Sequence, residues 1–189
     1  MKIINNITEK LSDDLQVEIA PHSKVSIAAA CFSIYAYEEL KDQLEKVDAL
    51  RFIFTSPSFL SEPTAKEKRE FYIPRQAREK TLHGSEFEIR LRNEFTQKTI
   101  SKECADWVRR KVQFKSNCTD ETMPGFLAVD SEHPVAYAPI NGFTRADLGC
   151  ERGGNMFSMI QQLDAPESKA YLQLFDQLWA DKRRMQDVT

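Results

Sequence analysis

The period of the apolar positions changes several times along the chain, and each change marks an element. Ile7, Leu11 and Leu15 recur every four residues, which predicts an amphipathic helix with one stripe to bury. Asn6-Ile-Thr-Glu9 ahead of it has the form of a capping box, with Asn6 accepting from an early backbone N–H and Glu9 reaching back. Pro21 and Ser23 end this pattern. From Lys24 to Ser33 the chain is almost continuously apolar, with Val25, Ile27, Ala28, Ala29, Ala30, Cys31 and Phe32, and predicts a strand buried on both faces. Tyr37, Leu40, Leu44 and Val47 then return to helical spacing, and Leu50–Thr55, bounded by Pro57, reads as a second strand. Strand, helix and strand within about 30 residues predict a βαβ unit with parallel strands and a right-handed crossover. The fold class is therefore α/β, a mixed, mostly parallel sheet flanked by helices.

No period persists over residues 56–85, which predicts a long irregular excursion with one short strand at Phe71-Tyr-Ile73. Phe87, Leu91 and Phe95, then Ile100, Cys104, Trp107 and Val108, form two stripes and predict two helices over 86–111. Strands follow at Val112–Lys115, Gly125–Asp130 and Val135–Pro139, the last two joined as a hairpin by Ser-Glu-His-Pro, and NMFSMIQQ at 155–162 fits a further strand. Asp164-Ala-Pro-Glu167 starts a final helix whose core face is Tyr171, Leu174, Phe175, Leu178 and Trp179. The closing DKRRMQDVT has no glycine or proline stop and reads as a helical run cut short.

Composition narrows the class without naming a chemistry. At 189 residues the chain is read as one domain, 1–189, and its 41% hydrophobic and 29% charged residues are those of a globular fold. No run approaches the roughly 20 apolar residues of a membrane helix, and MKIINNITEK lacks a signal-peptide core, so the expected compartment is the cytoplasm, with no membrane partner. Cys31, Cys104, Cys118 and Cys150 are widely spaced and read as free thiols, and His22, His83 and His133 form no metal-ligand spacing, so no metal site is expected.

Charge is unevenly spread. Residues 64–115 hold fourteen Lys/Arg against eight Asp/Glu, a surplus of six, whereas the rest of the chain holds twelve against twenty-one. This basic island is either a solvated helical surface or a surface facing phosphates. There is no phosphate-binding GxxxxGK[ST] loop and no GxSxG, and Gly149–Gly154 (GCERGG) lacks the strand-then-helix setting of a dinucleotide loop and reads as a flexible turn.

Two resemblances add to this reading. The segment Gly125–Ile160, with strand, tight turn, a second strand ending in NGFT, and a later Asn155, resembles the C-terminal half of a phospholipase D-like nuclease repeat. The resemblance implies a single repeat of that fold, with Phe143 and Thr144 matching an aromatic and a threonine of the pattern and Asn155 falling near a later asparagine. It also implies a His-x-Lys pair on the strand Gly125–Asp130, where this chain has Phe126, Leu127, Ala128 and Val129. His22-Ser-Lys24 has the spacing but precedes the first strand of the βαβ unit. Along the whole chain, SKVSIAAACFSIYAYEEL, LRFIFTSPSF, KEKREFYIPR, FEIRLRNE, ECADWVRRKVQFKSN and PINGFT with DLGCERG resemble the N-terminal domain of large bacterial DEAD/DEAH-box helicases of the Swi/Snf-like superfamily-two type.

That resemblance implies a degenerate, non-catalytic phospholipase D-like domain ahead of an ATP- and Mg-dependent motor, with no cofactor of its own. The expected role is to engage or position DNA through Arg75, Arg78, Arg109, Arg110, Lys111 and Arg145, with Phe126, Ala128, Asn141, Thr144 and Asn155 marking the region of the former active site. The alternative is a protein-docking or autoinhibitory module that binds its own helicase motor or a restriction-modification partner. A third reading is a residual nuclease using His22 and Lys24. Because a phospholipase D cleft forms where two repeats meet, a homodimer is also expected.

Overall fold

The computed structural model describes residues 1–57, 60–61, 71–72, 97–151 and 158–188. In chain order the elements are β1 (Lys2–Ile4), α1 (Leu11–Glu18), β2 (Lys24–Ala29), α2 (Ile34–Glu39), α3 (Lys41–Leu44), β3 (Ala49–Phe54), β4 (Leu60–Ser61) and β5 (Phe71–Tyr72). There follow α4 (Gln97–Lys111), β6 (Val112–Asn117), β7 (Phe126–Asp130), β8 (Val135–Ala138), β9 (Ile160–Leu163), α5 (Glu167–Ala180) and β10 (Met185–Asp187). Eight strands form one mixed sheet in the order β1-β9-β8-β7-β2-β3-β6-β10, and β4 pairs with β5 apart from it.

The expected βαβ unit is present: β2 lies parallel to β3, with Ser26 opposite Arg51 and Ala28 opposite Ile53. β6 extends the parallel set on the other side of β3. The remaining five pairings of the large sheet are antiparallel, so the sheet is mixed but mostly antiparallel, a correction to the mostly parallel expectation. The reason is the hairpin β7–β8. Its short turn forces antiparallel pairing, and β7 enters beside β2 in the opposite sense, with Ser26 opposite Ala128.

The two faces of the sheet are covered unequally. On one, Val25, Ile27, Leu50, Phe52, Phe54, Leu127, Val129 and Tyr137 pack with Leu11, Leu15, Leu44 and Trp107 from the helices α1–α4. Phe32, Phe52, Phe54 and Phe114 interlock there with ring centroids 4.9–5.7 Å apart. Trp107 packs on Tyr37 at 4.8 Å and donates its indole N–H to the carbonyl of Leu44 at 2.9 Å, which ties α4 to the end of α3. On the other face the only described helix is α5, whose Phe175 packs with Ala28, Ile53, Phe126 and Met185. It touches β8, β7, β2 and β10, and therefore runs across the strands.

Three sequence expectations shift at their boundaries. The first helix starts at Leu11, not at Asn6, with Lys10 as N-cap and no side-chain cap. Asn5 instead accepts from the N–H groups of Ile7, Thr8 and Glu9, so these residues make a turn and Ile7 stays exposed. Asn6 is fully buried at φ 60°; its Oδ1 accepts from Leu11 N–H at 3.0 Å and its Nδ2 donates to the Asp147 carbonyl at 2.7 Å. Against it lies Gly149 at φ 78°, where a Cβ would stand 3.0 Å from Asn6 Oδ1.

The second shift is at the C-terminal side. The charged run after Ala180 is not helical: Asp181–Arg184 turns the chain and Met185–Asp187 pairs with β6 as an edge strand. Third, α5 is capped by Pro166 without a side-chain bond, while Asp164 accepts only through its backbone, from Ser168. The short strand expected at 71–73 is β5; of the strand expected at 155–162, the part from Ile160 belongs to β9 and 155–157 lie outside the described residues, as does the helix expected over 86–96.

Replacing Asn6 leaves the Leu11 N–H and the Asp147 carbonyl without a partner in a buried place. Asn6→Ala is expected to lower unfolding free energy by about 2 kcal/mol in urea titration, whereas Asn5→Ala at the exposed turn should cost less than half of that.

Candidate functional site

The lower half of the face under α5, at the amino ends of the parallel strands, is polar. Side chains alternate along a strand, so Lys24, Ser26 and Ala28 of β2 share this face with Arg51 and Ile53 of β3, and with Ala128 and Asp130 of β7. Ala28 and Ile53 are covered by α5, whereas Lys24 and Asp130 are exposed and Arg51 is half-buried. In register, Lys24 stands opposite Asp130, and Arg51 stands between Ser26 and Gln113. Parallel strands normally carry helices on both faces. A polar floor on β2, β3 and β6 that no described helix covers is therefore the feature of this sheet that packing alone does not require.

The floor opens into a recess of about 540 Å³. Arg109, Arg110 and Lys111 at the end of α4 form one wall, Asp48 and Ala49 contribute beside them, and Asp176 of α5 closes the opposite side. The basic end of α4 has a structural cause as well: cations suit the negative end of a helix dipole. Lys111 donates to the carbonyls of Glu45 and Val47 at 2.8 and 2.7 Å, fixing the turn between α3 and β3. Arg110 pairs with Glu45 at 3.1 Å and Arg109 with Asp106 at 2.9 Å, and both heads remain open to solvent. Exposed pairs of this kind contribute about 1 kcal/mol or less and yield readily to a stronger anion.

Arg51 is held differently. Its guanidinium lies 5.0 Å from the ring centre of Phe175 and 5.7 Å from that of Trp179. One terminal nitrogen, Nη2, donates to Ser26 Oγ at 3.2 Å and pairs with Asp176 Oδ1 at 2.8 Å. Among the described residues Nε and Nη1 have no hydrogen-bond acceptor. A guanidinium stacked and oriented in this way loses little freedom when an anion arrives. Asp176, at 62% side-chain exposure, is a largely solvent-exposed carboxylate resting on it.

The structure brings Arg109, Arg110 and Lys111 to one mouth, adds Arg51, Gln113 and three aspartates that the sequence does not single out, and includes Lys24, which the sequence offers only with His22 for the residual-nuclease reading. The signal for Arg51 was present, because a lone arginine interrupts the buried strand ALRFIF. Arg145 does not line the recess; it pairs with Glu39 of α2 at 2.7 Å. Arg75, Arg78 and Asn155 lie outside the described residues. His22 sits in the left-handed region at φ 65°, almost wholly exposed, with Nδ1 2.9 Å from Asp48 Oδ1, beside the strand that Lys24 opens.

Among the residues that the phospholipase D-like resemblance implies for a former active site, those described have structural partners. Phe126 packs under α5 against Tyr171 and Phe175, with ring centres 5.0 and 6.1 Å apart. Ala128 is buried between Ser26 and Ala136 on neighbouring strands. The Asn141 carbonyl accepts from Ala30 N–H, and Phe143 exchanges backbone bonds with Cys31 and Ser33, so NGFT continues the sheet beyond β2. Thr144 donates its hydroxyl to Asp147 at 2.6 Å and accepts the Asp147 N–H, closing that loop on itself.

The four cysteines are free, and burial pushes the Cys104 thiol up to about 12, which makes it inert at neutral pH. Among the described residues no group of three or more His, Cys, Asp or Glu could hold a metal ion, and no helix is long and apolar enough to cross a membrane. No protein-family model matches the chain, and no curated protein matches its sequence.

Burial raises the Asp147 pKa above 3.8, against the opposing hydrogen bonds from Thr144 and the Gly142 and Thr144 N–H groups. The native state thus holds this proton to higher pH than the unfolded chain. The resulting stability is complete below pH 3.8 and declines as pH rises through the elevated native value. In urea titrations, the stability of the wild type relative to Asp147→Asn should fall across that interval; a pH-independent difference would refute the assignment.

Proposed function

We propose that this chain is a non-catalytic nucleic-acid-engaging domain, and that the recess on the α5 face is where it meets phosphate. The observation that carries the reading is convergence: Lys24, Arg51, Arg109, Arg110 and Lys111 come from three elements, β2, β3 and α4, and line one concave surface. A solvated helical surface would scatter such charges, whereas phosphate recognition requires donors that meet. Supporting the absence of phosphodiester chemistry at the resembling strand, Phe126 and Ala128 are buried carbon side chains with no group to form a phosphoenzyme or to neutralise one.

With the resemblance to Swi/Snf-like superfamily-two helicases, the role becomes that of an accessory domain. It would position DNA for an ATP- and Mg-dependent motor, and its fold would be a degenerate phospholipase D-like repeat. A second reading, docking on the motor or another protein, is favoured by Asp48, Asp130 and Asp176 in the same recess, since a mixed-sign lining complements protein charges as well as phosphates.

The two readings separate by salt. Binding of a labelled DNA duplex to the chain, followed by fluorescence anisotropy from low to moderate salt, should weaken steeply. Arg109→Ala with Arg110→Ala should flatten the plot of log affinity against log salt by about 1 for each phosphate that is no longer neutralised. Absence of retention at low salt, or an unchanged slope in the double variant, would overturn the nucleic-acid reading.

A further inference from the structure

We infer that the recess receives the end of a nucleic-acid strand, a terminal phosphomonoester nucleotide, and does not track a continuous backbone; this rests on the nucleic-acid reading above. Size is the first reason. A volume of about 540 Å³ is that of a small-ligand pocket, with strand floor below, the end of α4 on one side and α5 on the other. It accommodates one nucleotide, not a run of them.

The lining is the second reason. A continuous strand laid through the recess would bring successive phosphates past Asp48, Asp130 and Asp176, each a repulsive contact. An end distributes its chemistry otherwise. Its phosphomonoester carries close to two negative charges near neutral pH and matches the Arg51 guanidinium, through the edge that Asp176 now holds, together with the exposed ammonium of Lys24. Sugar hydroxyls and base amino groups are donors, and they match the aspartates and the amide oxygen of Gln113.

Asp176 is the third reason. Its carboxylate already occupies one terminal nitrogen of Arg51 at 2.8 Å, on a helix side chain that is 62% exposed. It stands where an arriving phosphate oxygen would stand, and so opposes weak anions while a doubly charged terminus displaces it. A phosphodiester, with one negative charge, competes less well.

The test compares labelled single strands of one sequence ending in a 5′-phosphate, a 3′-phosphate or hydroxyls only, together with the same sequence circularised, by fluorescence anisotropy at low salt. One phosphorylated form is expected to bind about tenfold or more tightly than the hydroxyl-ended and circular forms, the range of a charge-assisted pair of hydrogen bonds, and the two phosphorylated arms identify which end is read. Arg51→Met should remove that preference. Because Arg51 also packs on α5, Lys24→Gln at an exposed position provides a second variant and should reduce the preference, while Asp176→Asn should raise affinity for the phosphorylated end. Equal binding of all four strands by the wild type, or a preference untouched by both Arg51→Met and Lys24→Gln, would overturn the terminal assignment alone. No binding of any strand would overturn the nucleic-acid reading with it.

Discussion

Coverage of the sheet by α5 is the constraint from which the rest of this molecule follows. A helix is about 10 Å wide, and a six-residue strand is about 20 Å long. A helix crossing the strands, as α5 does, therefore shields only part of their length. In β2, β3 and β7 the residues beneath it are Ala28, Ile53 and Phe126, those beyond it are Lys24 and Asp130, and Arg51 lies at its margin with its head against Phe175 and Trp179. The switch from apolar to polar along each strand marks the edge of the shielded strip. On the opposite face, where four helices pack, the same strands stay apolar at Val25, Ile27, Leu50 and Phe52.

Placing charges on such a floor is tolerable only when they are held. Arg51 is packed between the rings of α5 and the hydroxyl of Ser26, and Lys115 lies similarly over Trp179 at 4.8 Å. In both it is the cationic head that lies against the ring, and Lys115 also donates to the Trp179 carbonyl at 2.9 Å. Across the recess, Lys111 satisfies two carbonyls at the α3–β3 turn, so the wall carrying Arg109 and Arg110 is anchored to the floor it faces. The geometry of the candidate site is thus set by the same contacts that close the fold.

The segment carrying the phospholipase D-like resemblance illustrates how a motif and its setting diverge. NGFT was legible as a strand end, yet its backbone bonds run to Ala30, Cys31 and Ser33, and its threonine closes on Asp147. Asn6 is the parallel case. Read locally it starts a helix; in the fold it is buried against Gly149 and joins the N-terminal turn to the Asp147 carbonyl, 141 residues away. A side chain with both donor and acceptor serves either role, and only the long-range partner decides between them.

Local period determined much by itself: β2 and β3 as parallel strands, the hairpin β7–β8, the buried stripe Tyr37–Leu40–Leu44–Val47, and α5 with Phe175 at its core. These elements follow from side-chain alternation and turn length, which act between near neighbours in the chain. Which strands flank β2, the antiparallel majority of the sheet and the pairing of Met185–Asp187 with β6 were decided by tertiary structure, because edges and registers are chosen by residues far apart in sequence. So was the recess. Lys24, Arg51, Gln113 and Asp176 are ordinary charges and amides along the chain, and they share one surface only because β2, β3 and β6 lie side by side and α5 crosses them with Asp176 at the margin of the recess.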